Sequence, residues 1–146
     1  MKLIIKTNVG QSYKQVWEGF TEALFRKLNP PFPPVRILRF DGCHKGDAVE
    51  LELNFWVFRQ RWKSLITEQQ TTDTEIFFLD EGVKLPFFLT FWRHQHRILK
   101  EGDKAVIADE IEFRTPFRWT DYLMYPLLWA QFMYRKPVYR QEFNGS

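Results

Sequence analysis

Apolar and polar positions along the chain follow two different periods. The opening "KLIIKTNVG" reads as a strand. Val16, Phe20, Leu24 and Leu28 then recur every four residues, forming one stripe on a helix. In "SYKQ", Ser12 at the N-cap and Gln15 three positions on make a capping box. "NPPFPP" at 29–34 must end the helix, because proline has no amide to donate. The spacing predicts a helix over 13–28.

From Val35 to Phe113 the period falls to two. In "AVELELNFWV", Val49, Leu51, Leu53, Phe55 and Val57 share one face, while Glu50, Glu52 and Asn54 take the other. "VRILRF", "RWKSLITEQQ", "TEIFFLD", "PFFLTFWRHQHRIL" and "KAVIADEIEF" are further strands, with "TTD", "DEG" and "EGD" as turns between them. Helical spacing returns in "TDYLMYPLLWAQFMYRKPVYRQEF", where Leu123, Leu127, Ala130, Tyr134 and Val138 lie about one turn apart and Thr120 or Asp121 caps the start. Pro126 and Pro137 predict a bent or segmented helix. Residues 122–134 are apolar nearly all round, so the sheet, a ligand or a second subunit must cover several sides.

The length of 146 residues suits one domain, 1–146. Phe, Trp and Tyr make up 18% of the chain, more aromatic surface than a minimal core requires, which points to a pocket or an interface. The net charge of +3 comes from 21 basic and 18 acidic residues that interleave, unlike the concentrated basic face of a nucleic-acid binder. Arg135, Lys136 and Arg140 read as a solvated basic end. Cys43 is the only cysteine, which fits a reducing compartment. The start lacks a signal-peptide core, and no stretch approaches the roughly 20 apolar residues of a membrane span. A cytoplasmic protein without membrane insertion is the expectation.

"FWRHQHRIL" carries the most distinctive chemistry. On a strand, His94 and His96 share a face. The short "KEGD" links this strand to "KAVIADEIEF" as an antiparallel hairpin. If all four residues form the loop, His94 lies opposite Asp109; if only Gly102 and Asp103 do, His96 does. Either way an imidazole meets Asp109, on a face shared with Trp92, Ile98, Ile107, Ile111 and Phe113. A buried carboxylate needs a donor or a positive charge, so imidazole and Asp109 should be coupled. The pair could fix the hairpin, anchor a ligand in an apolar cavity, or act as a catalytic base and its orienter, with His94, His96 and Asp109 as the catalytic candidates. Acyl transfer would also need a nucleophile, and the sequence places neither Cys43 nor Ser64 near the histidines. His44 lies in a turn-like "DGCHKGD", so no metal site is expected.

The order of strand, helix, proline-rich break, six-strand meander and long final helix, with "PPFPPVRILRFDG", "LPFFLTFWRHQHRI" and "IADEIEFRTP", resembles the SRPBCC superfamily of START-like, Bet v 1-like and polyketide cyclase/dehydrase-like proteins. The resemblance implies an α+β helix-grip fold: a curved seven-stranded antiparallel sheet wrapped around the C-terminal helix, with an apolar cavity between them. It places Trp92, His94, His96, Asp109 and Ile111 on the cavity wall, and Leu127, Gln131 and Tyr134 on its helix side. It implies binding or carrying of a small hydrophobic ligand without a cofactor. The alternatives are a cyclase or dehydratase on an aromatic or polyketide-like substrate, and an interaction protein that forms a homodimer through the aromatic final helix.

Overall fold

The alternating segments pair into one seven-stranded antiparallel sheet in the computed structural model, which describes residues 1–144. The strands are β1 (Lys2–Val9), β2 (Val35–Phe40), β3 (Ala48–Asn54), β4 (Arg59–Thr71), β5 (Glu75–Lys84), β6 (Phe91–Glu101) and β7 (Lys104–Arg114). Their order across the sheet is β1-β7-β6-β5-β4-β3-β2, so every connection after β2 is a hairpin and β1 closes against β7. The helices are α1 (Tyr13–Glu18), α2 (Glu22–Leu28) and the 25-residue α3 (Arg118–Glu142). This is the helix-grip fold.

The single helix expected over 13–28 is two helices. The capping box forms as expected, with Gln15 N–H donating to Ser12 Oγ at 3.3 Å and Ser12 N–H to Gln15 Oε1 at 3.1 Å. However, Thr21 starts a second helix by accepting from Leu24 N–H, and Gly19 caps the first. Val16, Phe20, Leu24 and Leu28 are all buried despite the break. The last helix departs from expectation in the opposite sense, since α3 runs unbroken past Pro126 and Pro137. Both prolines are exposed, where water can satisfy the carbonyls they free. Its N-cap is Phe117, and Asp121 instead accepts from Thr115 N–H at 2.7 Å in the first turn.

"DEG" at 80–82 is not a turn but part of β5, with a bulge beyond it opposite Lys63 and Ser64. β3 ends at Asn54, and residues 55–58 turn outward with Val57 88% exposed, so the apolar face proposed for that segment stops at Leu53.

The core has two parts. Val16, Phe20, Phe78, Ile98, Ile107 and Tyr139 belong to one cluster, and Leu3, Ile5, Trp92, Ile111, Leu128 and Phe132 to the other. On β1, β6, β7 and α3, the residues between these clusters are polar.

The end of α3 is latched to β1: Gly10 and Gln11 N–H both donate to Phe143 O, at 2.8 and 3.2 Å. A Cβ on Gly10 would stand 1.7 Å from Asn144 O. Gly10→Ala should therefore lower stability by about 1–3 kcal/mol in urea denaturation, the cost of overpacking. An unchanged midpoint would show that the latch does not hold the helix.

Candidate functional site

The polar residues that divide the core lie at one level of the sheet. The β6–β7 turn uses only Gly102 and Asp103, because Glu101 pairs with Lys104, and this sets His96 opposite Asp109. On the other side of β6, His94 pairs with Asp80 of β5. Side chains cross this register diagonally. His94 Nε2 lies 2.8 Å from Asp109 Oδ1, and His96 Nδ1 lies 3.7 Å from the same oxygen. His96 Nε2 is 3.5 Å from Asp80 Oδ2. The imidazoles stack on each other with ring centroids 3.5 Å apart, and Phe78 stacks on His96 at 4.2 Å.

α3 supplies the cation. Arg135 Nη1 lies 3.7 Å from Asp109 Oδ1 and donates to Tyr139 Oη at 3.4 Å, while its guanidinium sits 4.4 Å above the Phe132 ring. Arg135 is therefore part of the interior and not of the solvated basic end expected for it. Lys136 does not extend freely into solvent either, since it donates to Lys6 O.

Burial opposes ionisation of Asp80 and Asp109. Hydrogen bonds from His96 to Asp80 and from His94 to Asp109, together with charge interactions with the neighbouring imidazoles and, at Asp109, with Arg135, outweigh it and hold both carboxyls below their usual range. An ionised Asp109 can only accept, so His94 donates through Nε2–H. Burial, reinforced by the neighbouring His94, pushes His96 down from 6.5 to about 4, so it is neutral at pH 7. His96 Nδ1, Asp80 Oδ1, Asp109 Oδ2 and Thr7 Oγ1 are buried without a hydrogen-bond partner among the described residues. Groups of this kind ordinarily have a partner, whether protein, water or ligand.

Beside this layer lies a cavity of about 160 Å³ between the sheet and α3. Trp92, His94, His96 and Gln131 line it, as expected. Asp109 stands behind the histidines, fully buried, and Ile111 is packed in the core. Leu127 and Tyr134 are 61% and 39% exposed on the far side of α3, and Leu128 and Arg135 line the cavity in their stead. Nearly uniform apolarity over 122–134 left the helix phase open by one residue. The sequence missed Asp80, Phe132 and Arg135 as site residues. Asp80 is the next step of the alternation Ile76, Phe78, Asp80, which the turn composition of "DEG" masks.

Cys43 and Ser64, far from the histidines in sequence, also line the cavity. Burial pushes the Cys43 thiol up to about 12, so it holds no thiolate at neutral pH. Ser64 Oγ accepts from Trp62 Nε1–H at 3.0 Å. Neither forms a nucleophile–base pair with a histidine. Asp80, His94 and His96 each offer a possible metal-donor atom, all within 4.8 Å of one another. Near-parallel stacking of the two rings aims their lone pairs poorly at a common ion. The arrangement is better suited to accepting hydrogen bonds and exchanging protons.

No protein-family model matches the sequence, and no curated protein sequence does. Solved structures match over nearly the whole chain. The Zhui aromatase/cyclase from Streptomyces sp. R1128 superposes with a TM-score of 0.69 at 13% identity, covering 95% of this chain and 90% of that one. A truncated norcoclaurine synthase from Thalictrum flavum gives 0.64 at 14%, covering 91% and 88%. Major latex-like protein 151 from Panax ginseng gives 0.57 at 15%, covering 92% and 95%. The fold is the one shared by SRPBCC and Bet v 1-like proteins. No helix among the described residues is long and apolar enough to cross a membrane.

Two predictions follow from the buried layer. An unfolded chain protonates His96 near its ordinary 6.5, whereas the folded chain resists down to about 4, so its contribution is complete above 6.5 and declines as pH falls toward 4. The lowered carboxyls of Asp80 and Asp109 add a second loss at still lower pH. The urea midpoint should fall below pH 6.5, and His96→Phe should flatten the 6.5–4 window; equal slopes for both proteins would refute the assignment. Asp109→Ala should cost about 3–5 kcal/mol, because it leaves Arg135 without its buried counter-ion and His94 without its acceptor. A loss below 1 kcal/mol would show that water replaces the carboxylate.

Proposed function

We propose that the chain is a single ligand-binding domain that holds a small aromatic molecule bearing a hydroxyl or amine. The observation that carries this reading is an apolar cavity whose wall includes the ionised Asp80, with Oδ1 left unpaired among the described residues, beside the two stacked imidazoles. Phe25, Phe40, Trp62, Trp92 and Phe132 supply aromatic contact around the rest. A volume near 160 Å³ is close to that of an apolar cavity able to take up benzene, which argues for one or two rings and not a long acyl chain. An ionised Asp80 asks the ligand for a donor.

Trp62 and Trp92 pack 4.7 Å apart on the cavity wall and serve as fluorescence reporters. 1-Naphthol should quench them saturably, and Asp80→Asn should weaken that binding roughly tenfold, about the worth of one charge-assisted hydrogen bond, with little effect on naphthalene. Absence of saturable quenching by both probes, together with no co-purifying molecule in native mass spectrometry, would overturn the reading.

The neutral His96 on the cavity wall also supports a second reading, a cyclase or dehydratase in which His96 accepts a proton from a bound aromatic substrate. His96→Ala would then abolish turnover while leaving affinity within a few-fold.

A further inference from the structure

The antiparallel meander gathers the start of β2, the β3–β4 and β5–β6 connections and the start of α3 at one end of the sheet. This end is unusually apolar for a surface. Phe32, Trp56, Phe58 and Phe87 are all exposed there, Trp56 at 76% and Phe87 at 66%. They are connected through Phe55: Phe32 lies 5.1 Å from Trp56 and 6.5 Å from Phe55, and Phe58 lies 5.1 Å from Phe55 and 5.8 Å from Phe87. Phe117 and Trp119 stack on each other where α3 begins, and Thr90 N–H donates to Arg114 O, tying that segment to the β5–β6 connection. Trp56 has a φ of 69°, a left-handed conformation unfavourable for a bulky aromatic residue, and it presents its indole to solvent. Backbone strain that displays an indole instead of burying it points to a use for the ring.

The occupant follows from charge and position. Arg36, Arg59, Arg61, Lys84, Arg114 and Arg118 are exposed around the same end. Of these only Arg59 is paired, with Glu52 at 3.7 Å; the other five make no salt bridge among the described residues. Aromatic tips within a basic rim match the lipid–water interface, where indole and phenyl rings settle among headgroups and basic side chains meet anionic lipid. The connection before β2 touches both the aromatic surface and the cavity wall. Pro30 and Val35 line that cavity, and Phe32 stands between them on the same connection.

We propose that this end of the sheet docks reversibly on an anionic bilayer, with the rings of Trp56 and Phe87 in the headgroup region. A hydrophobic ligand dissolved in the bilayer would then reach the cavity without crossing water. The docking itself does not depend on the identity of that ligand.

The test is flotation of the full chain with phosphatidylcholine vesicles, with and without about a quarter phosphatidylglycerol, at low and high salt. Expected is co-flotation with the anionic vesicles, reduced by salt and accompanied by a blue shift of tryptophan emission. Trp56→Asn, which suits the left-handed backbone, and Phe87→Ser should each lower the partition coefficient roughly tenfold, the value of one inserted ring. Neither residue lines the cavity, so 1-naphthol quenching should be retained in both. No flotation, or flotation unaltered in the double variant, would overturn the proposal while leaving the cavity reading intact. A lipid-independent dimer that both substitutions dissociate would also overturn it, showing a second copy to be the occupant.

Discussion

The structure depends on a charged layer set across the middle of its hydrophobic core. Asp109 is the centre of it, receiving His94 from β6 and facing Arg135 from α3. A lone carboxylate at that depth would be prohibitive, so sheet and helix are specified together: the donor comes from the neighbouring strand and the cation from the element that closes the fold. This explains why a nearly featureless apolar helix takes one rotation out of several. Seating Leu128 and Phe132 against the sheet also brings Arg135 to Asp109, whereas the alternative phase would bury Tyr134 and strand the carboxylate.

The same layer gives the cavity its chemistry. Asp109 meets its needs within the protein, except at Oδ2, and is shielded from the cavity by the histidines. His96 and Asp80 are less completely served, because their mutual contact at 3.5 Å is at the limit of a hydrogen bond and leaves one polar atom of each unpaired. The layer thus has one side closed within the protein, which holds the fold together, and one side that borders the cavity. His96 lies between them, stacked on Phe78 and on His94 and kept neutral by burial.

The fold was legible because its signals are local and repeated: period-two strands, a capping box that forms atom for atom, and prolines where α2 must stop. The hairpin rule also brought an imidazole to Asp109, and the tight turn at Gly102 and Asp103 then chose between two registers. What was not legible depended on competition between signals. "DEG" has turn composition, but its Asp80 continues the inward face of β5 because His94 across the strand gives a buried acid company. Thr21 caps a new helix although the apolar stripe runs straight through it. Arg135 looked like part of a basic tail because a charge four residues from Gln131 reveals nothing of its partner until the sheet is assembled.

The surplus of aromatic residues resolves into three destinations with different physical demands. Phe20, Phe113 and Phe143 fill the core, where only shape and volume matter. Trp62, Trp92 and Phe132 combine packing with a face toward the cavity, so their positions are fixed by the polar layer next to them. Phe32, Trp56, Phe87 and Trp119 serve neither role, and in water each exposes apolar area that an ordinary soluble surface would break up with polar residues. Exposed apolar side chains also run along the outer face of α3, at Leu123, Leu127 and Trp129, but the rings at this end of the sheet stand beside the connection that borders the cavity and within a basic rim. Neither the core nor the cavity uses these rings, and a basic rim surrounds them, the combination on which the proposed docking to an anionic bilayer rests.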